Sequence, residues 1–122
     1  MMWDVSKAVA HLRSHAFSAS TGNCARAVRE AIQAGGIRLT PTHSAKDYGA
    51  RLESAGFRPL PDGMFPRAGD VVIIQPIPNH PHGHMAMYDG HLWISDFRQY
   101  HGYYPGPSYR TIQPPCKFYR HP

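Results

Sequence analysis

A cysteine stands at the predicted start of a helix in this 122-residue chain. In the stretch TGNCARAV, loop and cap-forming residues precede Cys24, and an apolar helical spacing follows it until Gly35 and Gly36. A thiol at the positive end of a helix dipole ionises more readily than a free thiol, whose pKa is about 8.5. A lone cysteine is more often a small buried residue. A role as nucleophile therefore depends on a nearby base and a group that orients it.

A histidine and an aspartate on two neighbouring predicted strands supply those groups. His84 begins the strand GHMAMYDG, and Asp96 lies near the end of the returning strand HLWISDF. A two-residue loop at Asp89-Gly90 would place His84 opposite Ser95 and turn Asp96 to the other face. A three-residue loop would place His84 directly opposite Asp96, within hydrogen-bond reach. The sequence leaves both registers open, and the second assembles a nucleophile, a base and an orienting residue.

Helices are predicted in the first half of the chain and antiparallel strands in the second. Apolar spacing indicates helices over roughly 3–14, from Cys24 to Gly35, and over 44–55. Four buried or turn-bounded segments indicate strands: 69–77, 83–90, 91–97 and 108–113. This order predicts an α+β fold in which N-terminal helices pack on a C-terminal antiparallel sheet, as a single domain over 1–122.

Composition narrows the classes of partner. The formal net charge is +5, which favours anionic partners. The Lys and Arg residues are scattered singly and form no nucleic-acid motif, so no nucleic-acid partner is expected.

The two cysteines are too few for a disulfide scaffold, and Cys116 lies in a proline-rich tail where it looks incidental. No apolar run predicts membrane insertion and the N-terminus has no signal-peptide pattern, so we expect synthesis in the cytoplasm.

Four blocks of the sequence resemble the NlpC/P60 and CHAP peptidoglycan hydrolases. The blocks GNCARAV, GDVVII, GHMAMYDG and WISDF follow in this order over residues 20–99. The resemblance implies a papain-like fold with Cys24 as nucleophile, His84 as general base and Asp96 as the third polar residue. The family more often has His, Asn, Gln or Glu at that third position. Asn23, together with the Cys24 backbone N–H, is implied as an oxyanion donor.

The resemblance also implies an activity and partners. It predicts a monomeric cysteine amidase that cleaves an amide bond in peptidoglycan stem peptides without a metal or organic cofactor. In size the chain is similar to type VI secretion amidase effectors and phage lysins, which would act in the periplasm or cell wall after secretion or lysis. Secretion is favoured because the chain has no separate wall-binding module. An effector would have a small immunity protein as partner.

Two rival functions come from other features of the sequence. His80, His82 and His84 alternate in NHPHGH and could be metal ligands of a metal-dependent hydrolase, although Pro81 and Gly83 argue for a loop there. A basic, tyrosine-rich surface could instead belong to a noncatalytic wall-binding module. The aromatic candidates for a substrate groove are Trp93, Tyr103 and Tyr104.

Overall fold

The structure is a computed structural model and describes residues 2–122. The helices are α1 (Val5–Ser14), α2 (Cys24–Ala34), a 3₁₀ helix (Ala45–Asp47), α3 (Tyr48–Ser54) and α4 (Pro107–Ile112). The strands are β1 (Arg58–Pro59), β2 (Val71–Ile74), β3 (His84–Tyr88), β4 (Trp93–Ile94), β5 (Arg98–Gln99) and β6 (Cys116–Arg120). Most helices precede the sheet, which confirms the predicted α+β class. No helix within residues 2–122 is long and apolar enough to cross a membrane.

The six strands form one antiparallel sheet in the order β1-β6-β2-β3-β4-β5. The buried strand β2 lies between β3 and β6, as its continuous apolar run VVII leads one to expect. The amphipathic helices α1 and α2 pack against each other, and α2 also packs against β3. Their buried stripes join the sheet side chains Ile73, Met85 and Met87 in the main core.

The opposite face of the sheet carries a second apolar cluster, which no long helix of the described chain covers. Val72, Ile74, Ala86 and Trp93 form its base. The segment 98–115 folds across them and contributes three tyrosines, of which Tyr109 is fully packed into the cluster. This segment therefore has a structural role, because it keeps the apolar cluster on this face of the sheet out of water.

Two elements near the C-terminus differ from the prediction. Residues 108–113 were expected as a strand but lie in α4 and its C-cap, because Pro107 occupies the first turn, where a missing N–H costs nothing. The proline-rich tail that contains Cys116 has no predicted element, but its residues form β6, which pairs with both β1 and β2. Its two prolines precede the strand, so they interrupt none of its hydrogen bonds.

The turn between β3 and β4 is longer than either predicted register allows. Met87 pairs with Ile94 and Tyr88 with Trp93, so four residues connect the strands. The Asp89 carboxylate causes this, because its Oδ1 accepts the backbone N–H groups of His91 and Leu92 at 2.7 and 2.6 Å. The predicted pairing of His84 with Ser95 or with Asp96 is therefore wrong.

Gly83, the residue before β3, has a positive φ of 70°, and a Cβ there would clash with the Ile74 carbonyl oxygen. We expect Gly83→Ala to lower the free energy of unfolding by at least about 2 kcal/mol, from backbone strain plus this clash. Gly63 has a similar φ of 82° but open space around it, so Gly63→Ala should cost only about 1 kcal/mol. Urea unfolding of both variants measures the difference, and equal losses would contradict it.

Candidate active site

Cys24 is the first residue of α2. The side chain of the preceding residue accepts no hydrogen bond from the first backbone N–H groups of the helix. Asn23 occupies the N-cap position without capping the helix, since its Nδ2 donates to the Thr21 carbonyl and hydroxyl oxygens at 3.2 and 3.1 Å. Burial raises the pKa of the Cys24 thiol above its ordinary value, against the effect of the backbone N–H groups of Met85 and Ala25. The thiol is therefore protonated at neutral pH in the free protein.

His84 is buried at the start of β3, with 6% of its surface exposed. Burial lowers the pKa of its imidazole from 6.5 to about 4, although a hydrogen bond to Gln99 and the charge of Asp96 act in the opposite direction. The imidazole is therefore neutral at neutral pH. A neutral imidazole has one nitrogen that donates and one that accepts, and a base needs the accepting nitrogen to face its substrate.

Gln99, on β5, decides which nitrogen accepts. Its Nε2 donates to the backbone oxygens of Gly102 and Tyr103 at 3.1 and 2.9 Å, so its Oε1 must face the other way. That oxygen lies 2.7 Å from His84 Nε2, which therefore carries the proton and donates. The lone pair of His84 Nδ1 is left free to accept a proton.

Cys24 and His84 line one open cleft of about 410 Å³. Its other walls are the loop before α2, the loop before β3 and the start of α4. The lining residues are Ser20, Gly22, Cys24, Asn79, His80, Pro81, His82, Gly83, His84, Phe97, Pro105, Gly106, Pro107, Ser108 and Tyr109. A thiol, a neutral imidazole with a free Nδ1 and an open path to both are the components of nucleophilic acyl transfer.

Asp96 lies near this pair but has different partners from those predicted. Its Oδ2 accepts three hydrogen bonds, from the Thr21 backbone and hydroxyl and from the Asn23 backbone, at 2.6, 2.7 and 3.1 Å. Burial alone would raise the pKa of its carboxyl, but these hydrogen bonds outweigh burial and lower it. The carboxylate thus holds the loop before Cys24, and the position facing His84 Nε2 belongs to Gln99.

Four other predicted site residues lie outside the cleft. Asn23 turns its amide toward Thr21 and lines a separate depression beside α1. Trp93 and Tyr103 line a smaller apolar cavity of about 260 Å³. Tyr104 packs on the second apolar cluster, and its hydroxyl donates to the Pro114 oxygen at 2.7 Å. The segment 98–115 does contribute to the cleft, but through residues 105–109.

The alternating histidines have separate partners. His82 Nδ1 lies 2.6 Å from the Ser44 hydroxyl, His84 bonds Gln99, and the His80 ring packs against Tyr109. Within residues 2–122, no three His, Cys, Asp or Glu side chains are grouped as metal ligands.

Gln99 is a residue of the candidate site that the sequence pattern does not predict. It follows the WISDF block by two positions, and glutamine is one of the residues that the resembling family uses to orient its histidine. The signal was therefore present, but the strand register that selects Gln99 over Asp96 depends on the four-residue turn.

Comparison with solved structures places this papain-like α+β fold among effectors of type VI secretion. No protein-family profile and no curated protein matches the chain. A crystal structure of the type VI effector–immunity complex Tae3–Tai3 from Ralstonia pickettii contains a chain with 50% identity and a TM-score of 0.93. The match covers 98% of this chain and 100% of that one. A second structure of the same complex matches at 53% identity and a TM-score of 0.89, over 93% and 98% of the two chains.

At this identity and coverage, the chain belongs to the Tae3 family of type VI effectors. A more distant structure, Ly7917, matches 98% of this chain and 62% of its own, at 19% identity and a TM-score of 0.61. That similarity shows the fold alone.

The buried His84 predicts a pH dependence of stability. Its imidazole takes up a proton near pH 6.5 when unfolded but only near pH 4 when folded, so the unfolded state binds more protons in between. Stability should therefore fall by about 2 kcal/mol between pH 7.5 and pH 5. Carboxylates with lowered pKa, such as Asp96, lose their contribution only below about pH 4.

Urea unfolding at the two pH values measures this loss. His84→Gln should remove most of it, because glutamine does not titrate. The matched variant His101→Gln changes an exposed histidine and should retain it. A loss of equal size in His84→Gln would contradict the assignment to His84.

Proposed function

We propose that this chain is a cysteine amidase that cleaves an amide bond in peptidoglycan stem peptides. The observation that carries the proposal is the shared cleft of Cys24 and His84, with His84 held by Gln99 so that Nδ1 is free. Membership of the Tae3 family supports an antibacterial effector. The finer resemblance to NlpC/P60 and CHAP hydrolases is supported by the cysteine and histidine blocks that supply these two side chains.

The acylation step begins from the neutral pair. His84 Nδ1 takes the thiol proton as the Cys24 sulfur attacks the amide carbon, and the C=O π electrons move to the oxygen. When these electrons return, the C–N bond breaks, and the imidazolium transfers its proton to the leaving amine. The products are a thioester on Cys24, the released amine and a neutral His84.

Water then hydrolyses the thioester with the same residue as base. His84 Nδ1 accepts a proton from water while the water oxygen attacks the thioester carbon. Collapse of this second intermediate breaks the C–S bond, frees a carboxylic acid and returns the proton to the Cys24 sulfur. Gln99 bonds the ring N–H throughout, so the ring keeps one orientation in both half-reactions.

The electrostatics of the cleft suit an anionic substrate. None of the described residues that line it is Asp or Glu, and the loop before β3 carries two histidines, His80 and His82. The net charge of +5 adds a long-range attraction for polyanions. Stem peptides carry free carboxylates, so they would meet no like charge on the walls of the cleft.

The proposal includes a place of action and a partner. The two Tae3 structures are complexes of an effector with an immunity protein. We infer that this chain acts in the periplasm or cell wall of a target cell after type VI delivery. A cognate immunity protein would protect the producing cell.

The decisive variant is Cys24→Ala. It removes the sulfur that forms the thioester, so we expect no release of soluble fragments from purified peptidoglycan, with an unchanged circular dichroism spectrum. Cys116→Ala changes the other free thiol, which lies on β6 outside the cleft, and should keep nearly full activity. Mass spectrometry of the released fragments identifies the bond. Wild-type activity in Cys24→Ala would refute the proposed chemistry.

Gln99 can be tested through the pH profile. Gln99→Ala should lower turnover about 100-fold, because the imidazole loses its orientation. Gln99→Glu keeps an acceptor and adds a negative charge, which favours the imidazolium and raises the pKa of His84. The acid limb of kcat/KM should therefore move to higher pH.

Asp96→Asn provides the matched comparison, because it removes a negative charge whose effect is to raise the pKa of His84. Its acid limb should not move upward. If Gln99→Glu left the acid limb in place, a role for Gln99 in orienting His84 would be excluded.

A further inference from the structure

The proposed reaction needs hydrogen-bond donors for the oxyanion, and the side chain predicted for this role is turned away. Asn23 donates to Thr21 and does not line the cleft. The start of α2 supplies one donor, because the Cys24 N–H lies beside its own thiol and lowers its pKa. Oxyanion holes commonly contain two donors, so a second group on the cleft wall is expected.

We propose that the hydroxyl of Tyr109 is this second oxyanion donor, an inference that rests on the proposed acyl transfer at Cys24. Tyr109 lies on α4 and lines the same cleft as the Cys24 thiol. Tyr109 is 4% exposed, and its ring packs against two histidines, with centroids 5.3 Å from His80 and 6.2 Å from His84. A ring held on several sides presents its hydroxyl in a fixed position.

The Tyr109 hydroxyl is free to donate a hydrogen bond to a bound substrate. Within residues 2–122 it makes no hydrogen bond, and its oxygen is not fully enclosed by protein atoms, so it is accessible from the cleft. Burial raises the pKa of Tyr109 to about 12, and a negative charge on Cys24 would act in the same direction. The phenol therefore keeps its proton at any pH where the enzyme works. The three other tyrosines of the segment, Tyr100, Tyr103 and Tyr104, lie outside the cleft.

The donor acts at one point of the reaction. When sulfur attacks the carbonyl carbon, the π electrons move to oxygen, and Tyr109 and the Cys24 N–H bond that oxygen. Both bonds weaken when the electrons return and the amine leaves with the proton from His84. No proton leaves Tyr109, so its effect is on the transition state and not on the ionisation of Cys24.

The test compares turnover with thiol reactivity. Tyr109→Phe keeps the ring, so we expect an unchanged melting temperature and an iodoacetamide alkylation rate of Cys24 within about twofold of wild type. Release of soluble fragments from saturating peptidoglycan should fall about 100- to 1,000-fold. Tyr88→Phe removes a hydroxyl from the same apolar cluster outside the cleft and should leave both rates unchanged.

Two results for Tyr109→Phe would contradict the inference. Turnover of Tyr109→Phe within threefold of wild type would exclude Tyr109 as a donor. A parallel loss of turnover and alkylation would mean that Tyr109 positions Cys24 or His84 instead. Cys24→Ala, measured beside it, separates this failure from that of the proposed function, because an active Cys24→Ala protein would refute the thioester chemistry itself.

Discussion

The buried carboxylate of Asp96 joins the two layers from which the candidate site is built. It is 2% exposed, and its Oδ2 receives three hydrogen bonds from the loop that leads into α2. The backbone oxygen of Asp96 also accepts the Phe17 N–H at 2.8 Å, which ties in the chain after α1. The apolar contacts between α2 and β3 are non-directional, so these charge-assisted hydrogen bonds fix where Cys24 stands relative to His84.

Burial also determines the charge states of Cys24 and His84, on which the proposed chemistry depends. Burial raises the pKa of Cys24 and lowers that of His84, so the free protein holds a neutral thiol and a neutral imidazole instead of an ion pair. Proton transfer must then accompany the attack on the carbonyl. Because charge develops only at that moment, fixed donors around the carbonyl oxygen have a larger part in lowering the barrier than they would beside a preformed thiolate.

The positions of Cys24 and His84 were predictable because their signals are local. The cap residues, the helical spacing and the strand start each lie within a few residues of the side chain that they place. The partner of His84 was not predictable in this way. It depends on a four-residue turn that the Asp89 side chain builds and that Arg13 of α1 supports through a 2.9 Å ion pair.

The remaining errors have a similar origin. The residue pattern at 108–113 suits a short strand as well as a short helix, and Pro107 decides between them only through its position in the first turn. The sequence of β6 shows no strand pattern of its own. It forms a strand because β2 has a second edge to which it can pair. In both cases the outcome depends on contacts between segments distant in the sequence, which local propensity does not contain.

The segment 98–115 connects the packing of the sheet with the geometry of the candidate site. It covers the second apolar cluster, and the same fold brings the backbone oxygens of Gly102 and Tyr103 onto the Gln99 amide. Those two bonds determine which imidazole nitrogen of His84 is free, so the tautomer of the proposed base depends on how the segment packs. Tyr109 belongs both to the cluster and to the cleft wall. The segment therefore supports the candidate site through packing, because Tyr103, Tyr104 and Tyr109 remove apolar surface of the sheet from water.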